Sequence, residues 1–161
     1  MNTALRIGFG YDVHQLEKGR KFVLGGVTIP SENGPVAHSD GDVLIHAICD
    51  ALLGAACLGD IGVHFPDTSD EFKDIDSKIL LKKVVILIEG EGFNVVNLDT
   101  TVSLEKPKLR NYVPAMQHTL SQILKVPQNC ISIKATTNEK MGFIGRQEGI
   151  AAQAVTLLNK E

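Results

Sequence analysis

The chain has 161 residues, 43% of them hydrophobic, and a formal net charge of −3, which suits one globular domain with its own core. The mildly acidic balance, without a block of basic residues, argues against nucleic acid or an anionic membrane as a partner. No apolar run is long enough to span a membrane and no secretory signal is present, so we expect a soluble cytoplasmic protein, or a plastid one only if a transit peptide was removed. We expect the three cysteines, Cys49, Cys57 and Cys130, to be reduced core residues.

The first predicted element is a β-strand over residues 6–14, whose sequence is typical of an extended segment. Side chains two residues apart leave a strand on the same face, so Asp12 and His14 should point the same way. The Asp-x-His pattern also recurs by chance, and alone it more often marks partly buried side chains than a metal site. The pair therefore needs a third ligand before it indicates chemistry.

A hairpin and a long apolar helix are predicted next. Residues 21–24 and 27–29 flank two glycines, a pattern typical of a tight turn between strands. The helix is expected over residues 39–58, with Ser39 or Asp40 capping its start and Gly59 ending it. Because nearly every residue between these ends is apolar, the helix should be largely buried.

Three polar side chains interrupt this helix at every fourth position, namely Asp42, His46 and Asp50. Burying such groups unpaired would cost roughly 1–3 kcal/mol each. A metal on His46, with a neighbouring carboxylate orienting its other ring nitrogen, would satisfy this stripe, and an internal hydrogen-bond network is the alternative. With Asp12 and His14, His46 makes a three-ligand set that suits zinc and leaves a fourth position for water or substrate.

The remaining elements predict the fold class. Their periodicities indicate helices at residues 77–89 and 112–125 and strands at 93–104 and 130–135. The last segment, 149–158, fits either a helix or a strand, although a closing strand would complete a sheet. This order predicts an α/β fold of the α+β sandwich type, a mixed β-sheet with helices packed on one face.

A second polar segment, residues 134–140, leaves the end of a strand and enters a glycine-containing stretch at 141–146. Its hydroxyls, cationic side chains and backbone N–H groups suit a phosphate chain. A bare carboxylate would repel phosphate, so Glu139 indicates Mg²⁺ or Mn²⁺ bridging it to phosphate oxygens. The alternative is a polar turn between strands.

Several short motifs occur in a fixed order along the chain. They are Asp12-Val13-His14, His38-Ser39-Asp40-Gly41-Asp42, His46, Asp50-Ala51-Leu52-Leu53-Gly54-Ala55, Gly59-Asp60-Ile61-Gly62, Phe65-Pro66-Asp67-Thr68 and Lys134-Ala135-Thr136-Thr137. From about Arg6 to the carboxyl terminus the chain resembles the 2-C-methyl-D-erythritol 2,4-cyclodiphosphate synthases of the non-mevalonate isoprenoid pathway. The resemblance implies cyclisation of 4-diphosphocytidyl-2-C-methyl-D-erythritol 2-phosphate with release of CMP, a phosphoryl transfer catalysed mainly by positioning and charge neutralisation.

The resemblance also implies roles for individual residues. Zn²⁺ would be held by Asp12, His14 and His46, and Mg²⁺ or Mn²⁺ by Glu139 with substrate phosphates. His38 and Thr137 match positions that stabilise the transition state. Contacts to phosphates, to the erythritol, to the cytidine and at a central cavity are implied for Asp12, Val13, His14, His38, Ser39, Asp60, Ile61, Gly62, Phe65, Pro66, Asp67, Thr68, Ser69, Leu104, Glu105, Lys106, Pro107, Lys108, Leu109, Arg110, Thr136, Thr137, Asn138, Glu139, Phe143 and Arg146.

Members of this family are homotrimers with active sites between subunits, one chain giving the metal ligands and its neighbour much of the nucleotide pocket. We therefore expect a homotrimer that takes a cytidine diphosphate-type substrate. Asn138 stands where the family has a third threonine, and Glu105-Lys106 stand where it has smaller or neutral residues. Because backbone atoms read the base in this family, these departures imply altered affinity rather than lost activity.

Two other functions fit the same residues. A zinc-dependent phosphoesterase would use the open metal position to activate water. A noncatalytic trimeric binding module would use the metal only as a structural, closed four-ligand site, a reading that three candidate ligands disfavour.

Overall fold

The computed structural model describes residues 4–66, 68 and 70–160, so the predicted contacts Asp67 and Ser69 lie outside the described residues. The strands are β1 (Ala4–Lys18), β2 (Val23–Leu24), β3 (Val27–Thr28), β4 (Asn33–Pro35), β5 (Phe93–Ser103), β6 (Ile131–Thr136) and β7 (Gly149–Lys160). The helices are α1 (Val43–Ala55), α2 (Ile61–His64), α3 (Ser77–Gly90), α4 (Val113–Leu124) and α5 (Gly142–Gly145). Short 3₁₀ turns lie at Asp70–Phe72 and Gln128–Cys130.

The main sheet has five strands in the order β4-β1-β7-β5-β6. Its only parallel pair among the described strands is β5 with β6, and the others are antiparallel. α1 packs on β1 and β7, and α3 lies against α1. The predicted mixed sheet covered by helices is thereby confirmed, and the undecided last segment is the strand β7, in the middle of the sheet.

β1 presents a different surface on each face of the sheet. Gly8 and Gly10 are buried beneath α1, and Asp12 and His14 continue the same side. The alternate side chains point the other way and are 42–74% exposed: Leu5, Ile7, Phe9, Tyr11 and Val13. This alternation directs the two predicted ligands towards the helices and leaves an apolar stripe on the outer face.

α1 forms the centre of the core, with ten of its residues buried. Its predicted start at Ser39 or Asp40 is wrong, because Gly41 takes a positive φ of 75° that interrupts helical geometry, and the helix begins at Val43. It also ends earlier than predicted, at Ala55, and Cys57 follows with a φ of 59°. The helix thus has 13 residues, about three and a half turns, and most of its side chains are apolar.

The Asp42 carboxylate caps α1 and also ties it to the β2–β3 hairpin. It accepts a hydrogen bond from the Ile45 N–H at 3.0 Å, and from the Gly25 and Gly26 N–H groups at 2.9 and 2.7 Å. Burial raises the pKa of Asp42, and these three N–H groups oppose that shift. A fully buried carboxylate is thus supplied with three backbone donors.

The hairpin and the elements expected around residues 77–89, 93–104, 112–125 and 130–135 are confirmed within about two residues at each end. The cysteine expectation is correct only for Cys49, which is buried. Cys57 is exposed because it lies where the chain turns out of α1, and Cys130 is half-buried in a turn before β6; all three are free thiols. Within the described part of the chain, no helix has the length and hydrophobicity needed to cross a bilayer.

Candidate metal centre and cleft

Three candidate ligand atoms converge where β1 meets α1. Asp12 Oδ2 lies 3.0 Å from His14 Nε2 and 3.0 Å from His46 Nδ1, and the two nitrogens are 3.1 Å apart. Tetrahedral zinc with bonds of about 2.0–2.2 Å separates its ligand atoms by about 3.3 Å, so a slight expansion of this triangle fits the ion. Among the described residues, this is the one group of three or more His, Cys, Asp or Glu side chains whose ligand atoms lie within 4.8 Å of one another.

The electrostatics of this triangle favour a positive charge. Burial disfavours protonated His46, but its hydrogen bond to Asp12 and the charges of Asp12, Asp42 and Asp40 outweigh burial and raise its pKa. Burial likewise opposes ionised Asp12, but hydrogen bonds and charges from His14 and His46 lower its pKa strongly. The site is therefore built to hold a proton or a metal cation between a carboxylate and two imidazoles.

Each member of the predicted polar stripe has a different partner. Asp42 caps the helix, His46 joins the triangle, and Asp50 accepts a 2.7 Å hydrogen bond from the Ile61 N–H. Among the described residues, no carboxylate touches the outer ring nitrogen of His46, contrary to the prediction. Instead, the hydroxyl oxygens of Ser39 and Ser77 lie 3.1 and 3.0 Å from Nε2.

Sequence reasoning missed Ser77. It is the first residue of α3 and is fully buried. A serine beside the Asp76 cap suggested only a helix start, because serine is common there. Nothing local indicated that packing of α3 on α1 would bring its hydroxyl to His46.

A cleft of about 450 Å³ opens beside the triangle. It is lined by Asp12, His14, Ala37, His38, Ser39, His46, Asp50, Ile61, Gly62, Phe65, Phe72, Ile75 and Leu80. The structure thus brings five predicted contact residues, His38, Ser39, Ile61, Gly62 and Phe65, to the predicted ligands. The lining combines polar side chains with apolar ones, a mixture that suits a small phosphorylated carbon skeleton.

Other predicted contacts lie around or away from the cleft. The Asp60 carboxylate caps α2 by accepting from the Val63 N–H at 3.0 Å. Pro66 and Thr68 follow α2, outside the cleft lining. Val13 lies between the two ligands of β1, but its side chain is on the outer face of the sheet.

The predicted nucleotide segments, residues 104–110 and 136–139, form a second group. They follow the parallel strands β5 and β6, and the Leu104 N–H donates to the Thr136 carbonyl at 2.9 Å. Glu105 Oε1 accepts from the Asn138 N–H at 2.9 Å and from the Lys140 N–H at 3.3 Å. Two of the departures from the family pattern are therefore in contact with each other.

The exposure of the side chains in this group fits a binding surface. Leu104 and Leu109 are buried anchors, Pro107 is half-buried, and three cationic side chains are exposed: Lys106, Lys108 and Arg110. Glu139 is exposed, and the Thr137 hydroxyl donates to its carboxylate at 3.4 Å.

Phe143 and Arg146 belong to the turn of α5. Phe143 is 41% exposed, and Arg146 donates two hydrogen bonds to the Glu148 carboxylate, at 2.9 and 3.0 Å. Neither these residues nor the nucleotide segments line the cleft. Because β7 separates β1 from β5 in the sheet, the predicted site residues form two groups within one chain.

Comparison with known proteins gives concordant matches. The chain matches the model of the YgbB family over residues 5–159. A relative from Bacteroides fragilis, named 2-C-methyl-D-erythritol 2,4-cyclodiphosphate synthase, is 54% identical over 156 residues, which cover 97% of this chain and 98% of that protein.

Two solved structures share the fold. The bifunctional IspDF of Campylobacter jejuni has a TM-score of 0.96 and 42% identity, and the match covers 99% of this chain but 43% of that protein. A structure described as 2C-methyl-D-erythritol-2,4-cyclodiphosphate synthase in a CDP-bound form has a TM-score of 0.88 and 39% identity, with 95% and 99% coverage.

Proposed function

The chain belongs to the YgbB family of 2-C-methyl-D-erythritol 2,4-cyclodiphosphate synthases, and from that premise we propose how its two groups of site residues carry out the reaction. It is a lyase of isoprenoid biosynthesis that cyclises 4-diphosphocytidyl-2-C-methyl-D-erythritol 2-phosphate to 2-C-methyl-D-erythritol 2,4-cyclodiphosphate and releases CMP. A 2-phosphate oxygen attacks the β-phosphorus, and the bond from that phosphorus to the CMP oxygen breaks. The observation that carries the assignment to this site is the convergence of Asp12, His14 and His46 beside the cleft.

We propose that these three side chains hold Zn²⁺. When bound, the ion supplies Lewis-acid polarisation of a phosphate oxygen. The donor set of one carboxylate and two imidazoles supports zinc over Mg²⁺, which prefers oxygen ligands. For Mg²⁺ or Mn²⁺ we propose Glu139, because one exposed carboxylate can bind such an ion together with substrate phosphates.

The residues of the cleft would orient the reacting phosphates. We assign hydrogen bonding to the phosphate chain to His38 and Ser39, which lie on the same cleft as the triangle. Thr137 would act with His38 to stabilise charge that develops on the transferred phosphoryl group. Holding both phosphates on one wall converts ring closure into a positioned intramolecular step.

The sugar and base would be held by separate segments. The apolar part of the lining, which includes Ile61 and Phe65, suits the methylerythritol carbon skeleton, with Asp60 and Gly62 offering polar contacts. Residues 104–110 and Thr136 would hold the cytidine, through backbone groups and the exposed Lys108. The binding of CDP by a similar solved structure supports this assignment.

We further propose that the enzyme is a cytoplasmic homotrimer whose sites form between subunits. The separation of the nucleotide segments from the cleft supports completion of each site by a second copy. The exposed apolar stripe of β1 supports self-association, and the number of subunits is carried over from the family resemblance. Three free cysteines fit a reducing compartment.

The decisive experiment incubates the purified protein with the diphosphocytidyl substrate, Zn²⁺ and Mg²⁺, and follows phosphorus species by NMR. We expect equimolar CMP and cyclic diphosphate, abolished by His46→Ala and retained by His118→Ala, a substitution of an exposed histidine on α4. Release of free phosphate would instead indicate a phosphoesterase. Intact substrate with metal-loaded protein would indicate a binding module.

A further inference from the structure

The outer ring nitrogen of His46 faces a part-buried hydrogen-bonded chain of Ser77 and Asp40, neither of which lines the cleft. Nε2 lies 3.0 Å from the Ser77 hydroxyl oxygen, and that hydroxyl donates a short hydrogen bond to Asp40 Oδ1. The second carboxylate oxygen, Asp40 Oδ2, accepts from the Ser77 backbone N–H at 3.0 Å. Ser77 is thus held at both its backbone and its side chain by one carboxylate.

Asp40 is itself fixed by the backbone around it. Its N–H donates to the Ile75 carbonyl at 3.1 Å, and its Oδ1 accepts from the Asp42 N–H at 3.2 Å. The chain therefore connects the segment before α1 with the first residue of α3, and both ends are anchored in the fold. Such anchoring restricts the Ser77 hydroxyl to one orientation.

The direction of these hydrogen bonds determines the tautomer of His46. An ionised carboxylate has no proton to donate, so the single hydroxyl proton of Ser77 points to Asp40. The Ser77 oxygen can then only accept from His46, which places the ring proton on Nε2. Nδ1 faces Asp12 and His14, so it is the nitrogen that gives up its proton when a cation binds between these side chains.

We propose that Ser77 and Asp40 are positioning residues, which fix the tautomer and ring orientation of His46 so that Nδ1 is presented to a metal cation. This inference rests on the proposed metal centre. Ser39 also lies 3.1 Å from Nε2, and its oxygen accepts from the Gly41 N–H at 3.3 Å, so it is a second acceptor for the same proton. Asp40 holds the ring through Ser77, and its charge also acts on His46. Neither Asp40 nor Ser77 lines the cleft, so removing either should loosen the ring without changing the cleft lining.

The test measures the zinc dissociation constant by chelator competition, in the absence of substrate. We expect Ser77→Ala and Asp40→Asn to weaken zinc binding about 10- to 100-fold, as is usual when a partner of a ligating histidine is lost. The matched control is Ser121→Ala, because Ser121 is also buried but donates to the His118 carbonyl within α4. Its zinc affinity should equal that of the wild type.

Two further measurements separate this role from a fault in folding or in the proposed reaction. Nitrogen-15 shifts of the His46 ring in zinc-loaded protein should show a metal-bound Nδ1 and a protonated Nε2 in the wild type, and a mixture of Nδ1-bound and Nε2-bound zinc in Ser77→Ala. The variants should also regain CMP release when free zinc is raised, which a misfolded protein would not do.

Unchanged zinc affinity in both folded variants, or zinc bound through Nε2 of His46 in the wild type, would overturn the positioning role. A wild-type protein that binds zinc tightly but forms no cyclic diphosphate would contradict the proposed function and leave this inference intact. If the wild type bound no zinc, the metal centre and the positioning role would both be wrong.

Discussion

Asp50 lies one helical turn beyond His46, and its carboxylate holds the loop that starts α2. The 2.7 Å hydrogen bond from the Ile61 N–H fixes this part of the cleft wall. Burial raises the pKa of Asp50, as do the charges of Asp60 and Asp12, while the Ile61 N–H and His46 oppose the shift. The ionised carboxylate is therefore less stable in the folded chain than in the unfolded one.

We predict that Asp50→Asn makes the metal-free protein more stable at neutral pH. With a raised folded pKa, Asp50 binds its proton more tightly when folded, so stability falls as pH rises from the ordinary value of 3.8 through the folded pKa. The asparagine removes this loss and keeps an oxygen for the Ile61 N–H. Thermal unfolding of chelator-treated protein between about pH 4 and pH 8 measures the difference.

Asp99→Asn is the control, and we expect it to change the stability of the protein in the opposite direction. Its hydrogen bonds from Lys134 and Ser132 lower the pKa of the Asp99 carboxyl, so its contribution to stability is present above 3.8 and is lost as pH falls through the folded pKa. Its replacement should destabilise the protein at neutral pH. If the stability of wild type and Asp50→Asn changed with pH in the same way, ionised Asp50 would not be the group that destabilises the folded protein.

Individual ligands could be predicted from sequence where local periodicity determines their direction. Asp12 and His14 share a face because strand side chains alternate, and both line the cleft as expected. His46 was indicated by a polar position within an apolar helix. Ser77 contacts His46 from 31 residues away in sequence, and that pairing depends on how two helices pack, which no local pattern encodes.

At the level of elements, β1 and α1 pack with almost nothing between their backbones. A Cβ atom on Gly10 would overlap the Ala47 carbonyl oxygen, and one on Gly8 would overlap that of Ala51. This close approach sets the distance between the two ligands on the strand and the one on the helix. The triangle of Asp12, His14 and His46 therefore depends on two residues that have no side chain.

We predict that Gly10→Ala destabilises the protein by about 1–3 kcal/mol or more, because α1 must move away from β1 to admit the methyl group. The same displacement should weaken zinc binding. Urea unfolding and chelator competition measure the two effects.

The control is Gly54→Ala, on the exposed side of α1, where an added Cβ meets no atom within 4 Å. It should stabilise the helix by about 0.5–1 kcal/mol, since alanine restricts the unfolded chain more than glycine. Equal stability of the Gly10 and Gly54 variants would show that the strand and helix can separate without cost.

The type of each element was predictable where its residues shared one strong pattern, but the two ends of α1 were not. α3 begins at its predicted first residue, Ser77, whereas α1 begins at Val43 because Gly41 leaves helical space. β7 was undecided, since its alanines and leucines suit either state. Its position between β1 and β5 settles it as a strand, and that pairing joins segments from opposite ends of the chain.

Considered as a whole, the molecule has one face of its sheet under helices and another that carries bare hydrophobic side chains. Ile7 and Phe9 are 74% and 63% exposed, and Val155 on β7, opposite Phe9 in the ladder, is 38% exposed. Contiguous apolar patches of this kind usually mark an interface. The proposed assembly would bury this face and bring nucleotide segments to neighbouring clefts.

We predict that Phe9→Asp converts the assembly to monomers, because a charge would be buried at the proposed interface without a partner. Sedimentation velocity should show a trimer for the wild type and a single chain for the variant. Zinc binding should persist in the monomer, since its three ligands belong to one chain, while CMP release should fall to background.

Ile86→Asp is the matched control, because Ile86 is a 67% exposed apolar residue on α3, among the helices rather than on the bare face. It should leave the assembly unchanged. A wild-type monomer, or an assembly unaffected by the charge at Phe9, would contradict the proposed interface.

The side chains of β1 alternate between the two faces of the sheet, so the number of residues in the strand determines which side chains face α1. Insertion or deletion of a single residue just before Asp12 would exchange the faces of the residues that follow, sending Asp12 and His14 outwards and Val13 towards α1. An insertion or deletion of two residues would restore the side-chain directions and would only shift Asp12 and His14 along the strand relative to α1. Length variation in this strand without a compensating β-bulge is therefore constrained to even steps, a parity rule for redesign of the enzyme.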